Sequence, residues 1–204
     1  MSREAVLGRI RTALGRRAGE RPTGLPDPLL FVPPTTANER MQHFLTALHA
    51  LNGKTRLATS AEEARAYVGD VTQGKRAICA DAAVLRECGI DKLPSVNNSV
   101  AASQADIGIT GAEYALANTG TLVMLASAEN PRMTSLLPPV HIAVVRESTI
   151  LSNLDELFTS VRLPADITSS MVLITGPSRT ADIEQILVRG VHGPGELHVV
   201  LLRN

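Results

Sequence analysis

The residues of this chain that could do chemistry sit in the turns that follow its apolar runs. Gly111-Ala112-Glu113 comes directly after "ADIGIT" (105–110), and "ANTGT" (117–121) leads straight into "TLVMLAS" (121–127). "GPSRTAD" (176–182) follows "MVLIT" (171–175). Glu113 offers a carboxylate for nucleophilic or general-base work. Thr110, Gly111, Asn118, Thr119, Gly120 and Thr121 offer hydroxyls, an amide and backbone N–H groups to a ligand. In the last of these turns, Gly176 allows close approach. Ser178 or Thr180 would cap a helix over "TADIEQILV" (180–188), whose first N–H groups favour an anion. Arg179 would add a bidentate contact to a carboxylate or phosphate, and Asp182 lies in the first turn of that helix. His192 in "GVHGPG" is an acid–base group or an oxyanion donor.

Every one of these residues also has a plainer role. Glu113 can be solvated, 118–121 a tight turn, 176–182 a simple cap with Asp182 complementing the helix dipole, and His192 bonded to a nearby carbonyl. Ser127, Glu129 and Asn130, at the far end of "TLVMLAS", read as loop polars or ligand contacts. His141 opens an apolar run and reads as a satisfied core histidine, and Cys79 as a small buried hydrophobe.

Composition removes several function classes. Twenty basic residues balance twenty acidic ones, so no overall field draws the chain to nucleic acid or a membrane surface. Aromatic residues make up 2% and Trp is absent, which leaves no stacking platform for single-stranded nucleic acid. No apolar run approaches the roughly 20 residues of a membrane span, and the first residues lack the apolar core of a secretory signal. Two cysteines nine residues apart, Cys79 and Cys88, make neither a disulfide framework nor a four-thiolate cluster site. His43 and His49 fall on different faces of a helix and are no metal pair. Motifs of the serine-elbow, phosphate-loop, dinucleotide and zinc-helix types are missing. The chain is therefore expected to be cytoplasmic, with no metal and no cofactor of its own.

The elements that must position these residues follow from periodicity and capping. Residues 2–17 carry Val6, Leu7, Ile10, Ala13 and Leu14 on one helical stripe, and a Pro- and Gly-rich stretch follows. Residues 1–34 thus read as a helical arm with a linker, docking on its own body, a partner or a second copy, and 35–204 as the body. Thr36 with Glu39, and Ser60 with Glu63, are capping-box patterns opening two helices. Ser152 or Asn153 caps another helix before Arg162. "TRLAT", "RAICA", "ADIGIT", "TLVMLAS", "HIAVVRE", "MVLITG" and "LHVVLL" read as strands. Runs apolar throughout belong inside a sheet covered on both faces. The alternation predicts an α/β fold: a mostly parallel sheet with helices on both faces and ligand sites beyond the strands' carboxyl ends. The turns 110–113, 118–121 and 176–180 are accordingly expected to converge on one anion site.

The segments "TGAEYALANTGTLVMLASAENPRMTSLLPPVHIAVV" and "GPSRTADIEQILVRGVHGPGELHVVLL", with the helical arm, resemble the lactate-utilisation protein C family, which carries the LUD domain. The likeness is strong from about Asp106 to Leu202 and loose before it. It implies a fold similar to ribose-5-phosphate isomerase, glucosamine-6-phosphate deaminase and the CoA transferases. It also implies a subunit or accessory protein that helps oxidise L-lactate to pyruvate beside two iron–sulfur partner proteins, which would hold the clusters. A small carboxylate or phosphate is the expected ligand. In one respect the chain departs: relatives usually carry an acidic residue where Asn118 stands, and an amide cannot titrate. Two other classes remain open, a self-sufficient enzyme on a phosphosugar or CoA ester, and a ligand-binding regulatory protein that moves no bonds.

Overall fold

The computed structural model describes residues 2–15, 35–160, 170–181, 187–189 and 192–203. Compact units comprise Met1–Phe31 and Val32–Asn204. In the first, helix α1 (Arg3–Leu14) starts at Ser2, whose hydroxyl accepts the Ala5 N–H, and ends at a left-handed Gly15.

The second unit opens with α2 (Ala37–Ala50), where Thr36 and Glu39 cap each other's backbone as their spacing requires. The chain then runs through β1 (Lys54–Ala58), α3 (Ala61–Thr72), β2 (Ala77–Cys79), α4 (Ala83–Glu87) and β3 (Ile107–Gly111). Next come β4 (Tyr114–Leu116), β5 (Thr121–Ala126), α5 (Arg132–Leu136), β6 (Val140–Arg146), β7 (Ile150–Leu151) and α6 (Leu154–Ser160). Asn153 caps α6 by accepting the Glu156 N–H at 2.8 Å. The remaining strands are β8 (Ser170–Thr175), β9 (Arg179–Ala181), β10 (Leu187–Arg189) and β11 (Glu196–Leu202).

Five strands form a wholly parallel sheet in the order β1-β11-β6-β3-β2. One face, with Ile109, Ile142, Val144 and Val200, packs on Ala64 and Val68 of α3 and Leu85 of α4. The other face, with Ala143, Val145, Val199 and Leu201, is covered by Met41, Phe44 and Leu48 of α2 and by a second sheet. Phe44 and Leu48 are fully buried there, each stabilising the fold by about 1.5–3 kcal/mol.

That second sheet, β7-β4-β5-β8, is where two expected elements differ. The runs 121–127 and 171–176 pair with each other antiparallel rather than joining the parallel sheet. Their apolarity on both faces has the same physical origin. One face meets the parallel sheet, and the other, through Val123 and Met171, meets Leu157 of α6. The described residues of the expected helix over 180–188 do not form one: Arg179–Ala181 and Leu187–Arg189 form an antiparallel ladder, and 182–186 lie outside the described residues. Thr180 and Val188 are register partners in that ladder, and β-branched residues favour strands over helices.

Candidate functional site

The parallel sheet has one point where neighbouring strands send the chain to opposite faces. After β2 it passes to α4 on one face; after β3 it enters the second sheet on the other. A crevice opens beyond the carboxyl ends of two such strands, and in open α/β sheets ligands bind there. In this protein the place holds a cavity of about 250 Å³, walled by Ala82, Val84, Gly111, Glu113, Arg146 and Thr149.

Glu113 reaches the crevice because the backbone changes sheets beside it. Ala112 N–H donates to Val144 of the parallel sheet at 2.9 Å, and Glu113 N–H to Val123 of the second sheet at 3.1 Å. The half-buried carboxylate accepts the Leu125 N–H at Oε2 (2.8 Å) and the Asn130 amide at Oε1 (3.5 Å). That amide also donates to the Gly111 carbonyl at 3.3 Å, so Asn130 fixes both sides of the turn. Asn130 is itself 4% exposed, and its Oδ1 has no partner among the described residues. Burial pushes the Glu113 carboxyl above its ordinary value, against the Leu125 and Glu113 N–H groups and Asn130, which pull it down. Across the cavity Arg146 pairs with Glu87 at the rim. A poised carboxyl and a guanidinium thus share one small chamber, a combination able to hold a carboxylate and accept a proton.

The expected convergence of three turns does not occur. Gly111 and Glu113 lie at the carboxyl end of the parallel sheet, whereas Gly176, Ser178, Arg179 and His192 line a different cavity. That second cavity also touches His141 and Leu197, near the first residues of β6 and β11, and so lies at the amino end. The cause is the antiparallel run of β8, which delivers its turn to the opposite edge. Arg179 is exposed and donates to the carbonyl of Leu51, the residue that follows α2, and Ser178 N–H donates to Pro194 at 2.8 Å. Since β9 begins at Arg179, no helix N-terminus stands there to receive an anion. Thr180 pairs with Val188 through its backbone, and Asp182 lies outside the described residues.

The 118–121 turn serves the fold. Thr119, Thr121 and Thr175 form a hydroxyl chain with steps of 2.7 and 2.8 Å, and Asn118 N–H donates to Ser152 at 3.1 Å. Gly120 has φ +64°, and a Cβ there would stand 2.6 Å from the Leu48 nitrogen. Only glycine lets this turn lie against α2. Thr110 is fully buried and bonds His141 Nε2 at 2.8 Å. Cys79 is buried as expected, its thiol raised to about 12 by burial. Among the described residues no group of three or more His, Cys, Asp or Glu is placed to hold a metal ion. None of their helices is long and apolar enough to cross a membrane.

Of the residues that shape the two cavities, Asn130 was expected only as a loop polar or ligand contact and His141 only as a satisfied core histidine. Arg146, the last residue of β6, carried no signal in the sequence.

Known proteins resemble this chain in sequence and fold. The crystal structure of a DUF162 family protein from Deinococcus radiodurans superposes with a TM-score of 0.63 at 22% identity, covering 83% of this chain and 99% of that one. Lactate utilization protein C of Halalkalibacterium halodurans is 44% identical over 97 residues, 46% of this chain and 42% of the relative. The Bacillus subtilis protein of the same name is 40% identical over 105 residues, 50% of this chain and 44% of the relative. In both of these lactate utilization proteins the matched segment spans less than half the relative's own length. The family model described as LUD domain matches residues 41–202, from α2 to the end of β11, and the chain belongs to that family.

Proposed function

We propose that this chain is a component of a lactate-utilisation system in which L-lactate is oxidised to pyruvate together with iron–sulfur partner proteins, and that its switch-point crevice handles the small carboxylate. The LUD domain and the relatives named lactate utilization protein C support the first half. The observation that carries the second is Glu113, a half-buried carboxyl with raised pKa in a chamber shared with Arg146.

The chemistry fits those two groups. Arg146 offers its guanidinium to the substrate carboxylate. Glu113 takes the hydroxyl proton as the C–H hydrogen leaves with its electron pair, as hydride, to a two-electron acceptor held by the partners. Burial raises the proton affinity of this carboxyl above that of an ordinary one, which makes it the stronger base once ionised. The turns at Gly176, Ser178, Arg179 and His192 then act away from this step.

The test is reconstitution. Purified chain is combined with the candidate iron–sulfur proteins, and L-lactate-dependent reduction of an artificial acceptor dye is followed. Wild type should support turnover, and Glu113→Gln should lower kcat about 10²–10⁴-fold while the complex still assembles. Turnover by the partners alone, at the same rate, would overturn the role of the chain. Full activity in the Glu113→Gln complex would overturn the crevice.

A further inference from the structure

The cavity at the amino end of the parallel sheet has features that its neighbours do not account for. It measures about 370 Å³, the low end of the range for small-molecule sites. Apolar side chains of Leu51, Leu136, Val172, Ile174, Pro194 and Leu197 form much of its wall. Thr175 and Ser178 also line it, and four further polar side chains separate by burial. His141 and Ser135 are at the inner wall, 1% and 0% exposed, while Arg179 and His192 are exposed at the mouth.

His141 is the unusual member. Its Nε2 lies 2.8 Å from Thr110 Oγ1, and its Nδ1 is buried with no partner among the described residues. Thr110 Oγ1 also has Met124 Sδ at 3.7 Å, a group that can only accept. If Thr110 gives its proton to the sulfur, it receives one from Nε2–H. This arrangement makes two hydrogen bonds where the opposite tautomer makes one. The imidazole then presents Nδ1 as a bare acceptor. A buried acceptor left open beside a cavity calls for a donor from outside the chain.

We propose that this cavity is a second ligand site, taking a small hydroxylated anion whose hydroxyl donates to His141 Nδ1 and whose carboxylate or phosphate lies at the Arg179–His192 mouth. The inference stands apart from the crevice, at the other end of the sheet. An apolar body between a deep acceptor and a cationic rim selects molecules with a donor at one end and an anion at the other. Acetate and inorganic phosphate lack that separation. 4-Hydroxybutyrate and glycerol 3-phosphate are the carboxylate and phosphate versions of it.

The experiment uses the full chain with ¹⁵N-labelled imidazoles and follows His141 Nδ1 by long-range ¹H–¹⁵N NMR. Titration with 4-hydroxybutyrate or glycerol 3-phosphate should move Nδ1 upfield and saturate, with acetate and inorganic phosphate binding at least tenfold more weakly. Arg179→Gln should weaken the binding, whereas Glu113→Gln should leave this titration unchanged and thereby separate the two sites. Binding that leaves Nδ1 unmoved, the same affinity for acetate, or no saturable response to either hydroxylated probe would overturn the proposal. Because the readout is on the wild-type ring, it holds even where a His141 variant fails to fold.

Discussion

Leu125 of the second sheet donates its backbone N–H to Glu113 Oε2 at 2.8 Å, while burial raises the pKa of the carboxyl it holds. The two effects oppose, and burial wins. This has a consequence for stability. A carboxyl whose folded pKa lies above its ordinary 4.5 binds its proton more tightly when folded. As pH rises from 4.5 through the folded value, the ionised group becomes a cost to the native state. Glu113→Gln carries no such charge. The melting-temperature difference between Glu113→Gln and wild type should therefore move in the variant's favour between pH 4 and pH 7. A difference independent of pH would show that Glu113 is not held in a raising environment.

Gly108 supports the geometry from below. A Cβ at this position would stand 1.8 Å from the Thr134 carbonyl oxygen and 3.1 Å from Pro138 Cγ. No rotamer relieves a clash with backbone, so Gly108→Ala must push α5 away from β3. Overpacking of this kind costs about 1–3 kcal/mol, and here the obstacle is rigid. Urea unfolding should show a loss at or above the top of that range. By contrast Gly69→Ala, whose Cβ would meet Leu93 Cδ2 at an ordinary 3.5 Å inside α3, should be neutral or stabilising. Equal effects at the two positions would contradict the packing of α5 on β3.

How much of this could be read from residues alone depends on the range of the interaction that decides each feature. Thr36 with Glu39, Ser60 with Glu63, and Asn153 are local signals three residues long, and all three cap the helices they announce. The parallel strands were legible from their unbroken apolarity, and Gly111 and Glu113 from their place after β3. The pairing of 121–126 with 170–175 was not legible. A strand covered by another sheet has the same composition as one covered by helices, and strand direction leaves no mark in it. That one unknown carried Gly176, Ser178 and Arg179 to the wrong end of the sheet in the expected site. His141 was read as a satisfied core histidine, yet only Nε2 is satisfied. Which face and which nitrogen meet a cavity depends on contacts with residues such as Thr110, 31 positions away.

The burial of His141 predicts an acid sensitivity of known sign. Its pKa falls from the ordinary 6.5 to about 3, because the ring is removed from water with no carboxylate beside it. The folded chain therefore keeps this imidazole neutral where the unfolded chain protonates it. Stability contributed by the neutral ring is present above pH 6.5 and is lost as pH falls from 6.5 towards 3. Between pH 7 and pH 4.5 the loss through this group amounts to about 2–3 kcal/mol. His198 shifts the same way, so wild type alone cannot isolate the effect. His141→Gln removes the titrating group and leaves His198. Urea unfolding at pH 7 and pH 4.5 should show a smaller drop for His141→Gln than for wild type, whatever its stability at pH 7. An identical drop in both proteins would mean that His141 is protonated in the folded chain, and a protonated ring could not present Nδ1 as an acceptor.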